Sequence, residues 1–457
     1  MKPQTKSLVS GAIPNHIREL ALPSSLGMFF QTMYNVVDSV YAGQISTIAL
    51  AALGLSFPVY LLIIATSGGL SRGAAALIAN AIGAEETDKQ QLFVAQSLSL
   101  AILSAVTLMC AGFVSAPHLF RMLGAEGEYL LTALAYINPI FCGTLFFVLN
   151  SLSNAILIAS GDSKTYSKVL VVGFFLNLVL DPWFLYGGLG VPAMGVAGIA
   201  WATVLIQFGS SMFMFSIVMR RGLLGLVSWR RLIPNWGAYW EIAQQAIPAT
   251  FNIMSVAMGF FVTTYFLKSY GEEAVASFGV TTRIEQICLL PTIGLYAAIM
   301  ALVGQNNGAN RNDRIRETMW WCNWLGGAIN VSVSLLIWTF ARPLMHVFTD
   351  DETVVEIGVG CLRVIMLVQW SYVLTSIHLA MLQAIKRPAY GFFESISRKV
   401  LLPLPFLWLF VFTYGCSIDY VWYIIAGTNV FATTITIVYA QVVLRTKKDG
   451  SADSLTD

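Results

Sequence analysis

Twelve apolar runs account for most of this sequence, and each is long enough to cross a bilayer as an α-helix, which takes about 20 residues. They cover 14–43, 48–83, 93–116, 129–159, 164–187, 193–219, 241–268, 273–307, 316–341, 355–386, 392–414 and 419–444. Only helices and closed barrels satisfy every backbone polar group inside a membrane. The runs therefore predict an all-α membrane protein with twelve transmembrane helices.

The composition supports a protein without a soluble domain. Charged residues make up 11% of the chain, against about 25% in a typical soluble domain. A net charge of +2 without a basic cluster gives no support for a nucleic-acid partner. The six cysteines form no CxxC pair, so neither a metal nor a redox cofactor is expected.

The two halves of the chain repeat each other at an offset of 225 residues. The matching positions include Ala21 with Ala246, Pro23 with Pro248, Met33 with Met258, Gly69 with Gly294 and Leu70 with Leu295. Since the offset contains six spans, an even number, both halves have the same orientation in the membrane, as in a parallel repeat. This predicts an N-terminal lobe at 1–219, a cytoplasmic linker at 220–240, a C-terminal lobe at 241–445 and a disordered cytoplasmic tail at 446–457.

Lysine and arginine are distributed unevenly between the two predicted sides of the membrane. If both termini are inside, the outer segments carry only Arg121, Lys268 and Arg342, and the inner segments carry the many remaining loop cations. By the positive-inside rule, this bias predicts that both termini are cytoplasmic. We expect a multi-pass protein of a bacterial or archaeal inner membrane.

An acid inside the first span indicates a functional site. Asp38 follows Gln31 and Asn35 at helical spacing, so the three side chains share one face. A charged residue at the centre of a membrane helix costs roughly 3 kcal/mol and marks a function by default. We therefore expect this polar face to line a cavity.

Polarity is concentrated in the N-terminal half. At the repeat offset, Asp38 matches Thr263, Asn177 matches Leu402 and Asp181 matches Phe406. Two carboxylates that share a site of low dielectric do not easily both ionise, so one of them is expected to take and release a proton. The alternative is that both acids only hold helices together through hydrogen bonds.

Three further polar residues are weaker candidates. Arg72 lies inside the second span, where a functional role and structural pairing are equally open. His378 is either a core histidine or a proton relay, and Arg283 pairs with Glu285 or with a neighbouring helix. Glu394 and Arg398 are spaced for an ion pair on a helix surface.

Several stretches together resemble the multidrug and toxic compound extrusion (MATE) family. They are MYNVVDSVYAG, ALAALGLSFP, LNLVLDPWFLYGGLGVPAMGVAGIAWAT and VGQNNGANRNDRIRE. Asp38 and the LDP motif are similar to the DinF-like branch. The resemblance implies two six-helix lobes in a V shape and export of amphipathic organic cations or other toxic compounds, coupled to inward flow of H⁺ or Na⁺.

The resemblance also assigns roles to individual residues. Asp38 matches the essential acid of the branch, and Asn177 and Asp181 match its polar pair on the fifth span. The remaining members of this network are Gln31, Tyr136, Asn154 and Thr203. Another branch of the family has acidic cation ligands on the seventh and tenth spans; here the seventh span has no acid from Ile242 to Leu267 and the tenth has His378 instead, so a Na⁺ site in the C-terminal lobe is not expected.

These observations predict a monomeric, proton-coupled antiporter that exports amphipathic or cationic compounds by alternating access. Its only partners would be small molecules and the lipid bilayer, with no bound cofactor or metal. Coupling to Na⁺ through the same site and lipid-linked sugar flipping remain alternatives. An intramembrane aspartate enzyme is disfavoured because no GxGD-like motif is present.

Overall fold

The computed structural model describes residues 6–188, 190–224 and 229–446, and this part of the chain is almost entirely helical. The longer helices are α1 (Ile13–Ile45), α2 (Thr47–Gly83), α3 (Thr87–Met122), α4 (Gly127–Ala159), α5 (Lys164–Tyr186), α6 (Val196–Arg220), α7 (Trp236–Leu267), α8 (Glu272–Gly308) and α9 (Asn312–Thr339). They are followed by α10 (Ala341–His346), α11 (Glu352–Ala384), α12 (Ala389–Ile396), α13 (Pro403–Leu407) and α14 (Asp419–Thr446).

The predicted spans agree with these helices. In the part of the chain that is described, ten helical stretches are long and apolar enough to cross a membrane. The other two long helices, α1 and α9, fall on the remaining two predicted spans. Capping side chains help to place the helix starts. The Asp351 carboxylate, for example, accepts hydrogen bonds from the N–H groups of Thr353 and Val354 at the start of α11.

The predicted span 392–414 is not one regular α-helix. Within Ala389–Thr413, π-helical turns at Ser397–Leu401 and Trp408–Thr413 flank α13. Pro403 and Pro405 have no N–H to donate, so the regular α-helical ladder cannot run through them. The short helix α10 was not predicted either, because the sequence analysis had placed it between two spans.

The described residues form two compact units. Unit 1 contains Leu26–Thr250 and the residues before Leu8, and unit 2 contains Leu8–Ser25 and the residues from Phe251 onward. The first part of α1 thus belongs to the unit of the second sequence half, and the first part of α7 belongs to the unit of the first half. The predicted lobe boundaries did not include this exchange.

Two equivalent glycines provide the close packing of the exchanged segments. In unit 1, a Cβ added at Gly69 would overlap Thr250 of α7. In unit 2, a Cβ added at Gly294 would overlap Ser25 and the carbonyl oxygen of Ala21 on α1. Gly69 and Gly294 lie 225 residues apart, so the repeat preserves both contacts.

The segments that lead into α1 and α7 are also held by side chains. In unit 2, buried Arg314 donates to the carbonyl oxygens of Leu8 and Gly11 at 3.1 and 3.0 Å. In unit 1, buried Gln96 donates to the carbonyl oxygen of Ile233 at 2.9 Å and accepts from the N–H of Asn235 at 2.9 Å. Each unit therefore fixes the chain that enters its exchanged segment.

Each unit has its own apolar core. In unit 1, residues of α2, α3, α4 and α6 pack with the start of α7, and a second cluster is built around Phe120 and Phe141. In unit 2, α8, α11 and α14 pack with the end of α7 around fully buried Trp422. In unit 1, these cores fix the helices that carry the polar site described below.

Candidate functional site: a buried carboxyl pair in unit 1

The polar site of unit 1 lies where α1 meets α5. Asn177 Nδ2 donates a hydrogen bond of 2.9 Å to Oδ1 of Asp38. Asp38 is 6% exposed, while Asn177 and Asp181 are fully buried. Asn177 and Asp181 are one helical turn apart on α5, so both project from the same face. The predicted core of the site is therefore brought together.

The two carboxyl groups of this site act on each other. Asp38 interacts with Asp181, Asn177 and Thr203, and Asp181 interacts with Asp38 and Asn177. Neither oxygen of Asp181 receives a hydrogen bond from a described donor. Two ionised carboxylates are acceptors only, so a direct hydrogen bond between them requires a proton on one of the two. We call Asp38, Asn177 and Asp181 the carboxyl cluster.

A cavity of about 30 Å³ lies within the same helices of unit 1. Its polar lining comprises Gln31, Tyr34, Asn35, Tyr60, Asn150, Thr203, Gln207 and Ser210. A cavity needs about 10–15 Å³ of such space to hold one water molecule, so this one has room for a few waters at most. A drug-sized ligand cannot enter this cavity unless the helices around it move.

Most of the other predicted network members lie close by, with unequal burial. Tyr136 interacts electrostatically with Asp38 and Asp181. Thr203 is buried on α6 and lines the small cavity, as do half-buried Gln31 and exposed Asn35. Asn154 is half-buried on α4, and its Oδ1 has no hydrogen-bond partner among the described residues. The structure thus brings Gln31, Asn35, Tyr136 and Thr203 together around the carboxyl cluster, and it does not place Asn154 in contact with them.

The site also contains residues outside the predicted network. Tyr34 and Tyr60 line the cavity and interact electrostatically with Asp38. Asn150 Nδ2 donates to Oε1 of Gln207 at 2.7 Å. Asn150 and Gln207 extend the polar faces of Asn154 and Thr203 at i,i+4 spacing, and the sequence predicts that these faces converge on one cavity. Only the two tyrosines were not expected from the sequence, because aromatic residues are common in all the spans.

The three weaker candidates do not join the carboxyl cluster. Arg72 is half-buried on α2, Arg283 is exposed on α8 of unit 2, and His378 is buried on α11 of unit 2. A ring nitrogen of His378 lies 2.7 Å from the carbonyl oxygen of Leu374. Glu285 accepts a hydrogen bond of 3.4 Å from Gln369 on the neighbouring helix α11 rather than from Arg283.

Unit 2 contains a separate buried ion pair. Arg398 Nε donates to Oε1 of Glu394 at 2.6 Å, and both side chains are almost fully buried. Arg398 also donates to Asn429 at 2.9 Å and lies over the ring of Tyr372. The predicted pairing is correct, but its predicted place on a helix surface is wrong. The i,i+4 spacing shows that the two residues can pair, and it carries no information on what covers them.

The fold and the site together define a class of protein. Repeated six-span halves that carry an unpaired acid at a helix seam are features of secondary membrane transporters. The sequence profile of the MatE family matches residues 23–183 and 248–409, two stretches that begin 225 residues apart. The chain belongs to the MatE family.

Individual relatives are similar over most of their length. The probable multidrug resistance protein NorM of Thermotoga maritima is 28% identical over 362 residues, which are 78% of this chain and 77% of the relative. The FAD transporter of Shewanella oneidensis is 26% identical over 401 residues, 87% of this chain and 88% of the relative.

A solved structure is similar to the chain as a whole. A MOP superfamily transporter from Pyrococcus furiosus, whose binding pocket is described as having reverse polarity, aligns with a TM-score of 0.90 and 26% identity. The alignment covers 96% of this chain and 98% of that one. This agreement confirms the predicted MATE-type fold of twelve transmembrane helices.

Proposed function

We propose that this protein exports amphipathic or cationic organic compounds in exchange for protons, by alternating access. The observation that carries the proposal is the carboxyl cluster: two acids act on each other inside a membrane-spanning unit, and Asp181 has no described hydrogen-bond donor. Burying a charge without a partner is costly. A proton bound by the pair removes one charge and supplies the missing donor.

Proton binding can then be linked to a change of conformation. Asn177 donates to Asp38 on α1 from its place on α5, so this hydrogen bond joins the two helices. It is strongest when Asp38 is ionised, because hydrogen bonds to charged groups are stronger than those to neutral ones. Protonation of Asp38 therefore weakens the link and favours a different arrangement of the two helices.

Drug and proton compete through this equilibrium without having to touch. The cavity of about 30 Å³ admits no drug-sized molecule, so cargo requires an arrangement in which the helices have moved apart. Cargo binds one arrangement better and the proton favours the other. Each ligand therefore lowers the protein's apparent affinity for the other ligand. The size of this effect is set by how differently each ligand binds the two arrangements.

Coupling to Na⁺ is the second candidate, and one observation favours it. Both carboxylate oxygens of Asp181, Oδ1 of Asn177 and the hydroxyl of Thr203 have no hydrogen-bond partner among the described residues, and Asp38 lies beside them. Carboxylate, amide and hydroxyl oxygens suit a hard cation. The same residues could therefore hold Na⁺ in place of a shared proton.

Both termini are proposed to lie in the cytoplasm. The short connections on the opposite side carry Lys268 and Arg342 and follow Arg121 at the end of α3, whereas most loop cations lie on the side of the termini. This asymmetry satisfies the positive-inside rule. Protons would then enter the carboxyl cluster from outside and drive export.

The test is transport in liposomes under an imposed pH gradient or an imposed Na⁺ gradient, with ethidium as cargo. We expect the pH gradient alone to drive transport, and Asp38→Asn and Asp181→Asn to abolish it. Asp313→Asn is the matched control, because this acid is exposed and pairs only with Arg311 in the described structure. Transport driven only by Na⁺ would replace the proton with the cation.

The cargo is tested in the same system. An anionic compound such as FAD would be the first alternative, because one relative is an FAD transporter. Ethidium transport that is unaffected by Asp38→Asn would contradict the role of the carboxyl cluster. Absence of transport for all cargoes under both gradients would contradict the proposed export and favour a lipid-linked substrate.

A further inference from the structure

A second, much larger cavity opens in unit 2 where α7 ends and α8 begins. Its volume is about 1070 Å³, and its lining is almost entirely apolar. The lining residues are Phe261, Val262, Thr264, Tyr265, Phe266, Lys268, Gly271, Glu272, Val275, Ala276, Leu404 and Trp408. Aromatic rings form much of the wall, and Lys268 and Glu272 contribute the only charges. We call this cavity the α7–α8 cleft.

The two charges of the cleft and part of its aromatic wall are not shared with the first half of the internal repeat. At the 225-residue offset, Lys268 and Glu272 correspond to uncharged residues, Gly43 and Thr47, and Phe261 and Tyr265 correspond to valines, Val36 and Val40. The other two rings have aromatic counterparts, since Phe266 corresponds to Tyr41 and Trp408 to Trp183. The pair of opposite charges is therefore a property of the second half alone.

We propose that the α7–α8 cleft binds a zwitterionic phospholipid with a primary ammonium headgroup, taken from the leaflet at which α7 ends. At about 1070 Å³, the cleft is larger than the pockets that hold drug-sized ligands, which are about 300–1,000 Å³, so it has room for acyl chains. Both chains would lie against the aromatic walls.

The two charges match the two ends of such a headgroup. Lys268 and Glu272 are exposed, and they lie at the end of α7, where a membrane helix meets the headgroup layer. An ammonium side chain binds phosphate, and a carboxylate accepts hydrogen bonds from a primary ammonium group. A lipid with a net negative charge would gain from Lys268 but be repelled by Glu272. A choline headgroup has no N–H to donate.

The backbone holds the two charges in place. A 3₁₀ turn at Lys268–Tyr270 ends at Gly271, whose φ of 107° is open to glycine and strained for other residues. The Tyr270 hydroxyl donates a hydrogen bond of 2.7 Å to the carbonyl oxygen of Cys416 and so anchors the turn. Lys268 and Glu272 therefore flank a fixed corner, and little ordering is needed when a headgroup binds.

The test uses the full-length protein in detergent, freed of lipid and titrated with phosphatidylethanolamine brominated on its acyl chains. Bromine next to Trp408 should quench tryptophan fluorescence in a saturable way, and Trp408→Phe should remove that component. We expect phosphatidylethanolamine to bind roughly tenfold more tightly than phosphatidylglycerol or phosphatidylcholine, as one additional charged hydrogen bond would give.

Two variants and one control separate the headgroup from the cleft. Lys268→Gly combined with Glu272→Thr copies the residues of unit 1 and should abolish the preference among lipids. Ala276→Phe fills the cleft and should abolish saturable quenching in a protein that still elutes as a single species. Arg342→Ala combined with Glu352→Ala removes an exposed ion pair on the same side of unit 2, outside the cleft, and should change neither result.

Several results would overturn the proposal. One is equal binding of all three lipids to the wild-type protein, and another is a preference that survives the double change at 268 and 272. Full displacement of the brominated lipid by micromolar ethidium would assign the cleft to aromatic cargo instead. Quenching that persists in Ala276→Phe would place the lipid elsewhere on the protein.

Discussion

Replacing Glu394 alone should destabilise unit 2 more than removing its whole ion pair with Arg398. The two side chains are only 2% and 7% exposed, and Glu394 accepts the 2.6 Å hydrogen bond from Arg398 Nε. In Glu394→Gln the guanidinium stays buried and loses its counter-charge, which costs about 3–5 kcal/mol. In Glu394→Gln combined with Arg398→Met neither charge of the pair remains, and although Glu285 loses its attraction to Arg398, the cost should be smaller than in Glu394→Gln alone.

The measurement is equilibrium unfolding in mixed detergent micelles, followed by far-ultraviolet circular dichroism, on the wild type, both single variants and the double variant. The control is Glu352→Gln, because its pair with Arg342 is exposed on both sides and should contribute less than about 1 kcal/mol. If Glu394→Gln costs no more than this control, or no more than the double variant, the inference that the guanidinium depends on Glu394 fails.

Three further predictions concern the ends of the helices and the exchanged segments. Burial acts to raise the pKa of Asp162, but hydrogen bonds from Thr165 and the ion pair with Arg221 outweigh it and hold the pKa below 3.8. Asp162→Asn should therefore destabilise the protein at neutral pH, and thermal unfolding should show this difference fading as the pH falls below about 4; a difference that persists at acid pH would contradict the argument. Gly294→Val should lower the melting temperature and increase hydrogen exchange in 13–25, because the added side chain overlaps Ala21 and Ser25, whereas Gly279→Val, where a Cβ meets nothing, should not. Arg314→Ala leaves the buried carbonyl oxygen of Leu8 with one donor fewer, and each such loss costs about 1–3 kcal/mol; limited proteolysis should then cut near residue 8 faster than in Arg311→Ala, and equal rates would refute the anchoring role.

Much of the fold could be predicted from the sequence, because membrane helices are specified locally. Each span needs only a long apolar run, and the internal repeat strengthens the prediction because the same six-span pattern occurs in both halves. The π-helical turns on either side of α13 were missed because a run of apolar residues does not specify the local backbone geometry. The exchange of α1 and α7 segments was missed for a different reason: apolar patterns identify helices but not their neighbours.

The carboxyl cluster was predictable because an acid in a membrane span is rare and costly. Asp38 and Asp181 stood out against apolar neighbours, and the resemblance to the MATE family assigned them with Asn177 to one network. The environment of Glu394 was not predictable. Its spacing to Arg398 reveals a possible pair, whereas burial depends on Tyr372 and Asn429 from other helices, and no local pattern connects those residues.

The exchange of helix segments between the two units sets an order of assembly during synthesis. Residues 8–25 are synthesised before Gly294 and Arg314, against which they pack and which follow about 300 residues later. Unit 1 in turn is complete only after Thr250 has been made. Neither half can therefore reach its final packing while the chain is still half-synthesised. A ribosome that stops between the halves leaves a product with the packing surface around Gly69 uncovered, which the membrane's quality-control proteases can recognise as unfinished.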